Sequence, residues 1–262
     1  MIVKPQKGDP WSREEMILVF NLYLKLPYGQ MDHRNKQVKE LASIMGRTDN
    51  SVAMRLNNFA ACDPILISRG ITSLNANRSR CQPYWDEFFN NQESLAYESE
   101  RILSEYQETS IEEKYHSILD EIPINITGEN RVREVKTRVN QFFFRQMVLA
   151  NYSGRCALTG IDLDELLVAS HIIPWAKNER ERLNPENGIC LSSLYDKAFD
   201  CGLISFSNDY RVIFSSKLKN NVGKDYYVKY FEPIEQKHLM TPNKYYPNTS
   251  FLEWHRDTIF FY

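Results

Sequence analysis

Between Cys156 and Gly202 the sequence runs strand, loop, strand, helix, and it carries one chemically distinctive side chain at each junction. The run Leu166–Ile172 is apolar and strand-like and contains a histidine, His171, near its end. Asn187 follows sixteen residues later in the turn Pro185-Glu186-Asn187-Gly188. Gly188–Leu191 reads as a second strand, and Ser192–Asp200 as a short helix that places Asp196 nine residues beyond Asn187. A chain that folds along this path can bring His171, Asn187 and Asp196 to one edge. No other stretch narrows the possible folds as much.

The rest of the chain has a different texture. Residues 11–60 read as helical. Trp11-Ser12-Arg13-Glu14-Glu15 opens an amphipathic run through Leu24, with Ser12 as N-cap and Glu15 three residues on. Residues 36–45 put Val38, Leu41, Ala42 and Met45 on one helical face, Gly46 stops that helix, and Thr48 or Asp49 caps the next. Helix, short glycine turn, helix is a helix-turn-helix arrangement. Residues 61–90 read as irregular, punctuated by Pro64, Gly70 and Pro83. Residues 91–121 read as a solvated helical connector with Leu95, Tyr97, Ile102, Leu103 and Tyr106 among glutamates, and residues 122–130, with Pro123 and Gly128, as a linker. A basic helix then runs to about Ala150 with Phe142-Phe143-Phe144 in its core face. Leu203–Phe206 and Arg211–Phe214 flank a hairpin turn at Asn208-Asp209, and the tail ends in an aromatic segment. The fold class expected is therefore α+β, divided as a helical domain at 1–90, an acidic connector at 91–130 and a mixed domain at 131–262.

The formal net charge of −2 is a cancellation. Residues 1–90 hold 12 basic and 9 acidic side chains, residues 91–130 hold 2 and 10, and residues 131–262 hold 18 and 15. The near-neutral total thus does not exclude a nucleic-acid partner, because binding follows where charge lies. A hydrophobic fraction of 42% with 25% charged residues excludes wholesale disorder. No apolar run reaches the roughly 18–20 residues that span a bilayer, and the N-terminus lacks the apolar core of a signal peptide. Five scattered cysteines, Cys62, Cys81, Cys156, Cys190 and Cys201, form no Cys-x-x-Cys pair, so reduced thiols in a cytoplasmic protein are expected.

Ser170-His171-Ile172, Asn187-Gly188 and Phe199-Asp200-x-Gly202 together resemble the HNH nucleases, which carry the ββα-metal motif. The resemblance extends to Thr137-Arg138-Val139-Asn140-Gln141, Phe144-Arg145, Arg155-Cys156-Ala157-Leu158-Thr159-Gly160 and the final Phe251–Phe260 segment, about half of the chain, and is of the restriction-endonuclease type. It implies a DNA endonuclease with a role in restriction or defence. Phosphodiester hydrolysis needs a deprotonated water, a charge clamp on phosphorus and a stabilised leaving oxygen. An imidazole near its ordinary pKa can take that proton, and the resemblance gives His171 this role and Asn187 that of positioner. It also implies one divalent ion, Mg2+ or Mn2+. The third motif position is commonly histidine in the family, and here it is Asp196, a suitable ligand for either ion. Ser170 stands where the wider family often has Asp or His, and Asp200 is a further candidate ligand or a brace for the helix end. Tyr195 adjoins the site as a candidate phosphate contact. A structural zinc is not expected, since Thr159 occupies the place of a second cysteine after Cys156. His33, His116, His238 and His255 lack ligand-like spacing and read as structural or surface groups, with His255 set apart by its neighbour Arg256.

In the first 90 residues, Trp11-Ser12-Arg13-Glu14-Glu15, Leu41-Ala42, Gly46-Arg47-Thr48, Ser51-Val52 and Arg55 resemble a Myb/SANT three-helix fold. That resemblance implies a third helix entering the major groove, with Arg47, Asn50, Ser51, Arg55 and Asn58 as DNA contacts. A protein-interaction module is the alternative. Arg138, Arg145 and Arg155 add a second electrostatic candidate. The partner expected is double-stranded DNA, with a homodimer if both strands are cut symmetrically. The competing readings are a non-catalytic DNA-binding regulator on a decayed nuclease scaffold, and a nuclease directed to RNA or to branched structures.

Overall fold

The computed structural model describes residues 4–6, 8–70, 77–116 and 127–261, which fall into two compact units, Met1–Phe143 and Phe144–Tyr262. Within the described residues the first unit is helical: α1 (Arg13–Lys25), α2 (Lys36–Met45), α3 (Asp49–Ala60), α4 (Pro64–Ser68), α5 (Arg78–Phe88), α6 (Gln92–Tyr106) and α7 (Ile111–Lys114). α1 starts as the sequence indicates: the Ser12 hydroxyl accepts from the Glu15 N–H, and the Glu15 carboxylate accepts from the Ser12 N–H. It is not amphipathic, however. Every residue from Glu15 to Leu24 is buried, because α2, α3, α5 and α6 all pack around it. A helix apolar on all sides belongs at the centre of a core. Phe20 stacks on Phe59 at 4.7 Å, and Trp85 closes on both Phe20 and Tyr23.

α2 buries Val38, Leu41, Ala42 and Met45, and Gly46 ends it at φ 74°, a left-handed conformation that suits glycine. Thr48 caps α3 through its hydroxyl. Two readings of the next segments need correcting. The described part of 61–90 is largely helical rather than irregular, with residues 71–76 outside the described residues: Asp63 caps α4, with Pro64 at its first position, and α5 is helical through Pro83. Pro83 removes one backbone bond, and burial of Cys81, Trp85 and Phe88 along one face holds the helix together regardless. The described part of the acidic 91–121 stretch, up to residue 116, is not a solvated connector either. α6 buries Leu95, Ala96, Ser99, Glu100 and Ile102 and packs on α1. The linker expected at 122–130 lies partly outside the described residues; from Gly128 onward it is already helix.

That helix, α8 (Gly128–Asn151), contains the boundary between the units. Its early part buries Val135 and Val139 with Tyr115 in the first unit. In the second unit, β1 (Leu167–His171) and β2 (Gly188–Ser192) pair antiparallel, with Leu167 opposite Ser192 and His171 opposite Gly188. α9 (Ser193–Asp200) follows directly and packs on both strands. β3 (Ile204–Phe206) and β4 (Val212–Phe214) form a second hairpin, followed by α10 (Ser216–Lys219), α11 (Asp225–Tyr230) and α12 (Thr249–Thr258). Two glycines are dictated by close approach. A Cβ on Gly188 would lie 2.3 Å from Val148 and 2.9 Å from Phe144, so only glycine lets α8 lie against β2. Gly202, at φ 65°, would drive a Cβ to 2.1 Å from the Ile259 carbonyl oxygen. No described helix is long and apolar enough to cross a membrane.

Candidate active site

The site is built where β1 ends beside β2. Ser170 and His171 are successive strand residues, so their side chains leave the strand in different directions. The Ser170 hydroxyl is buried and donates to Asp196 Oδ1 at 2.5 Å, joining β1 to the first turn of α9. His171 turns to the other side. Its ring stacks on Phe144 at 3.8 Å between centroids, and Trp175 meets it edge-on at 5.6 Å. Its Nε2 lies 2.9 Å from the Arg182 carbonyl oxygen. A carbonyl can only accept, so Nε2 carries the ring hydrogen and Nδ1 keeps its lone pair. Burial lowers the His171 pKa to about 4, against a weaker opposing pull from the Arg182 bond, so the ring is neutral at physiological pH.

The Asn187 side chain makes its hydrogen bonds to the loop and not to His171. It is 1% exposed and stitches the loop between the strands. Oδ1 accepts from the Ile173 N–H at 2.8 Å, and Nδ2 donates to the carbonyls of Ile173 and Glu181 at 3.1 and 3.0 Å. The loop so closed presents the Arg182 carbonyl to His171. Arg182 is itself held by Nε donating to the Trp175 carbonyl, with its guanidinium 5.2 Å from the Trp175 ring centre.

Residues 156–207 match the HNH endonuclease family model. The HNH segment takes in residues 156–160, the loop before β1, both strands of the first hairpin, α9 and β3; the flanking motifs at 137–145 and 251–260 and the first unit lie outside it. No curated relative matches the chain.

HNH nucleases generally use a divalent ion, and the donors in the segment suit a hard one. Asp196 and Asp200 stand one turn apart on α9, and Asp200 is raised above the usual carboxylate range by burial and then by the charge of Asp196. Two carboxylates that repel each other, plus a serine hydroxyl, form a sparse all-oxygen set. Mg2+ and Mn2+ accept such a set, since they retain waters and bind substrate phosphate oxygens as well. Among the described residues no three His, Cys, Asp or Glu side chains converge as a metal cluster. Cys156 is buried, and its Sγ accepts from the Ser192 N–H at 3.2 Å.

Several expected DNA contacts are otherwise engaged. Arg145 donates to the carbonyls of Leu167 and Asp164 at 2.7 and 2.9 Å, bracing the approach to β1. The Tyr195 hydroxyl donates to the Tyr230 carbonyl at 2.5 Å, so it is not directed at phosphate. Arg155 is exposed and pairs with Asp162 at the long distance of 4.0 Å. Arg138 is half-buried in α8. In the first unit, Arg47 is bound by Glu15 at 2.6 and 2.8 Å and by the carbonyls of Asp9 and Pro10. Arg55 and Asn58 are buried, at 6% and 1% exposure. Asn50 is exposed and Ser51 half-exposed, with the Ser51 hydroxyl donating to the Thr48 carbonyl. The helix expected to read a groove therefore presents few of the side chains assigned to that task. Phe144, Trp175 and the Arg182 carbonyl are the site groups that the residue pattern alone did not assign.

His255 is structural. Its Nδ1 lies 2.9 Å from the Ser205 hydroxyl and its Nε2 3.1 Å from the Phe199 carbonyl, while the ring stacks on Phe199 at 3.8 Å. Burial lowers its pKa from 6.5 to about 4. The unfolded chain therefore binds the extra proton first. This contribution to stability is full above the unfolded pKa and is lost as pH falls from there towards the folded one, by about 3 kcal/mol for this group. Urea midpoints of the second unit should drop steadily across that window; a flat profile would contradict the assignment.

Proposed function

We propose that the second unit is a divalent-metal-dependent endonuclease of double-stranded DNA, with His171 as general base. The observation that carries this reading is the His171 Nε2 bond to the Arg182 carbonyl, which leaves Nδ1 with its lone pair as a proton acceptor. His171 Nδ1 takes the proton from the attacking water, and the Arg182 carbonyl faces the imidazolium charge as it develops. Phe144 and Trp175 fix the ring plane. Asp196, with Asp200 and the Ser170 hydroxyl, would hold the ion. A bound Mg2+ or Mn2+ supplies Lewis acidity to the phosphate and charge compensation to the leaving oxygen. Asn187 positions the loop rather than the base directly. Restriction of foreign DNA is the cellular role that the sequence resemblance implies.

Supercoiled plasmid incubated with the full chain and Mg2+ or Mn2+ should be nicked or linearised. The His171→Ala protein should be slower by about 10^2–10^4-fold while remaining folded. No cleavage of modified or unmodified DNA with either metal, or full activity in His171→Ala, would overturn the proposal. Faster cleavage of RNA would move the substrate class to RNA.

A further inference from the structure

Two guanidinium groups flank Trp11 in the first unit, Arg47 and Arg55, each 4.9 Å from the ring centre. Arg47 has its anion in Glu15. Arg55 has none. It is 6% exposed, and its Nε and Nη1 are buried without a hydrogen-bond partner. The Cys81 thiol, fully buried, interacts with Arg55; burial raises its pKa despite the charge and hydrogen bond of Arg55, so it stays neutral and supplies no counter-ion. A buried charge without a partner is strongly unfavourable, and folded proteins supply either a counter-ion or a ligand.

Arg55 lines a cavity of about 510 Å³, walled also by Trp11, Arg13, Arg80, Tyr84 and Glu87. Glu87 is taken by Arg13 in a two-pronged bond at 2.5 and 2.8 Å, so its charge is compensated and does not answer Arg55. Arg80 is exposed and Tyr84 half-exposed. The volume lies within the range of roughly 300–1,000 Å³ common for small-molecule sites and exceeds the need of a bare anion. Guanidinium groups match phosphate oxygens in a planar fork, and an aromatic ring offers a base a face to stack on. We propose that this pocket binds a nucleotide, its phosphate against Arg55 with Arg80 as a second cation and its base against Tyr84. The shared chemistry is a phosphorylated nucleoside, free or within a DNA strand, and the pocket stands on the first unit alone, independent of the nuclease reading.

The test is a calorimetric titration of the full chain in chelator, so that no cleavage occurs. The probes are inorganic phosphate, a deoxynucleoside, its 5′-monophosphate and a short single-stranded oligonucleotide. The monophosphate or the oligonucleotide should bind, with phosphate and nucleoside at least about tenfold weaker. Arg55→Met should weaken that binding by more than about tenfold. Arg80→Glu, on an exposed side chain, should weaken it without affecting the fold and decides the matter if Arg55→Met does not fold. Binding of the monophosphate identifies a free nucleotide as a ligand; binding of the oligonucleotide alone identifies a strand. The proposal fails if no probe binds, if nucleoside or phosphate alone binds as tightly as the nucleotide, or if Arg80→Glu binds like wild type. His171→Ala should leave the titration unchanged, so failure here and failure of the cleavage assay are separate results.

Discussion

Asn187→Ala is expected to reduce DNA cleavage by about 10^2-fold or more, although the side chain hydrogen-bonds neither the base nor the candidate ligands. Asn187 satisfies one buried N–H and two carbonyls of the loop between β1 and β2. Alanine leaves the Ile173 N–H without a partner and frees the carbonyls of Ile173 and Glu181. Each buried group so orphaned costs about 1–3 kcal/mol. The loop relieves that cost by opening. Glu181 adjoins Arg182, whose carbonyl holds the His171 tautomer, so opening removes the fixed acceptor and lets the ring exchange tautomers. Asn187→Asp separates the two functions of the amide, since it keeps an acceptor for Ile173 and loses both donors. The decisive measurement pairs the cleavage rate with the imidazole Nε2–H resonance of His171. Loss of rate with that proton still protected from exchange would assign Asn187 a role other than the one argued here.

The parts of this site that were legible in the sequence are those with local causes. The capping box at Ser12 and Glu15 and the glycine stop at Gly46 depend on groups a few residues apart. Both strands and α9 follow from short apolar runs between turn signals, and their order placed His171, Asn187 and Asp196 in one hairpin and its helix. What stayed illegible depends on distant partners. Arg47 looks like a groove-reading side chain until Glu15, thirty-two positions away, takes it up. Arg145 looks like a phosphate contact until backbone carbonyls beyond the helix claim it. The carbonyl of Arg182 has no signature at all, because every residue carries one. α6 shows the same limit: glutamates are frequent along it, and polarity records a preference for water but not whether lysines from α1 and α7 will reach one of them.

Those lysines define the largest stability effect expected. Glu100, in α6, is 4% exposed. It accepts from Lys25 of α1 at 3.3 Å and from Lys114 of α7 at 2.5 Å. Burial alone would raise its pKa, but the two ammonium groups outweigh it and hold the carboxylate below its usual range. Lys25 moves down, chiefly because it is desolvated. Removing the carboxylate by Glu100→Ala strands Lys25 in the core, its ammonium 5.0 Å from the Phe143 ring. Breaking a buried pair from one side costs about 3–5 kcal/mol, a large part of the roughly 5–15 kcal/mol that holds a domain folded. The urea midpoint of the first unit should fall accordingly. The sign of the pH effect follows from the lowered carboxylate: its contribution is present above the unfolded pKa of a glutamate and is lost as pH falls through the folded one. Lys25→Met combined with Glu100→Leu should recover most of the loss, because apolar replacements need no counter-charge. If the double variant is as unstable as Glu100→Ala, the cost lies in packing around α6 and not in the stranded charge.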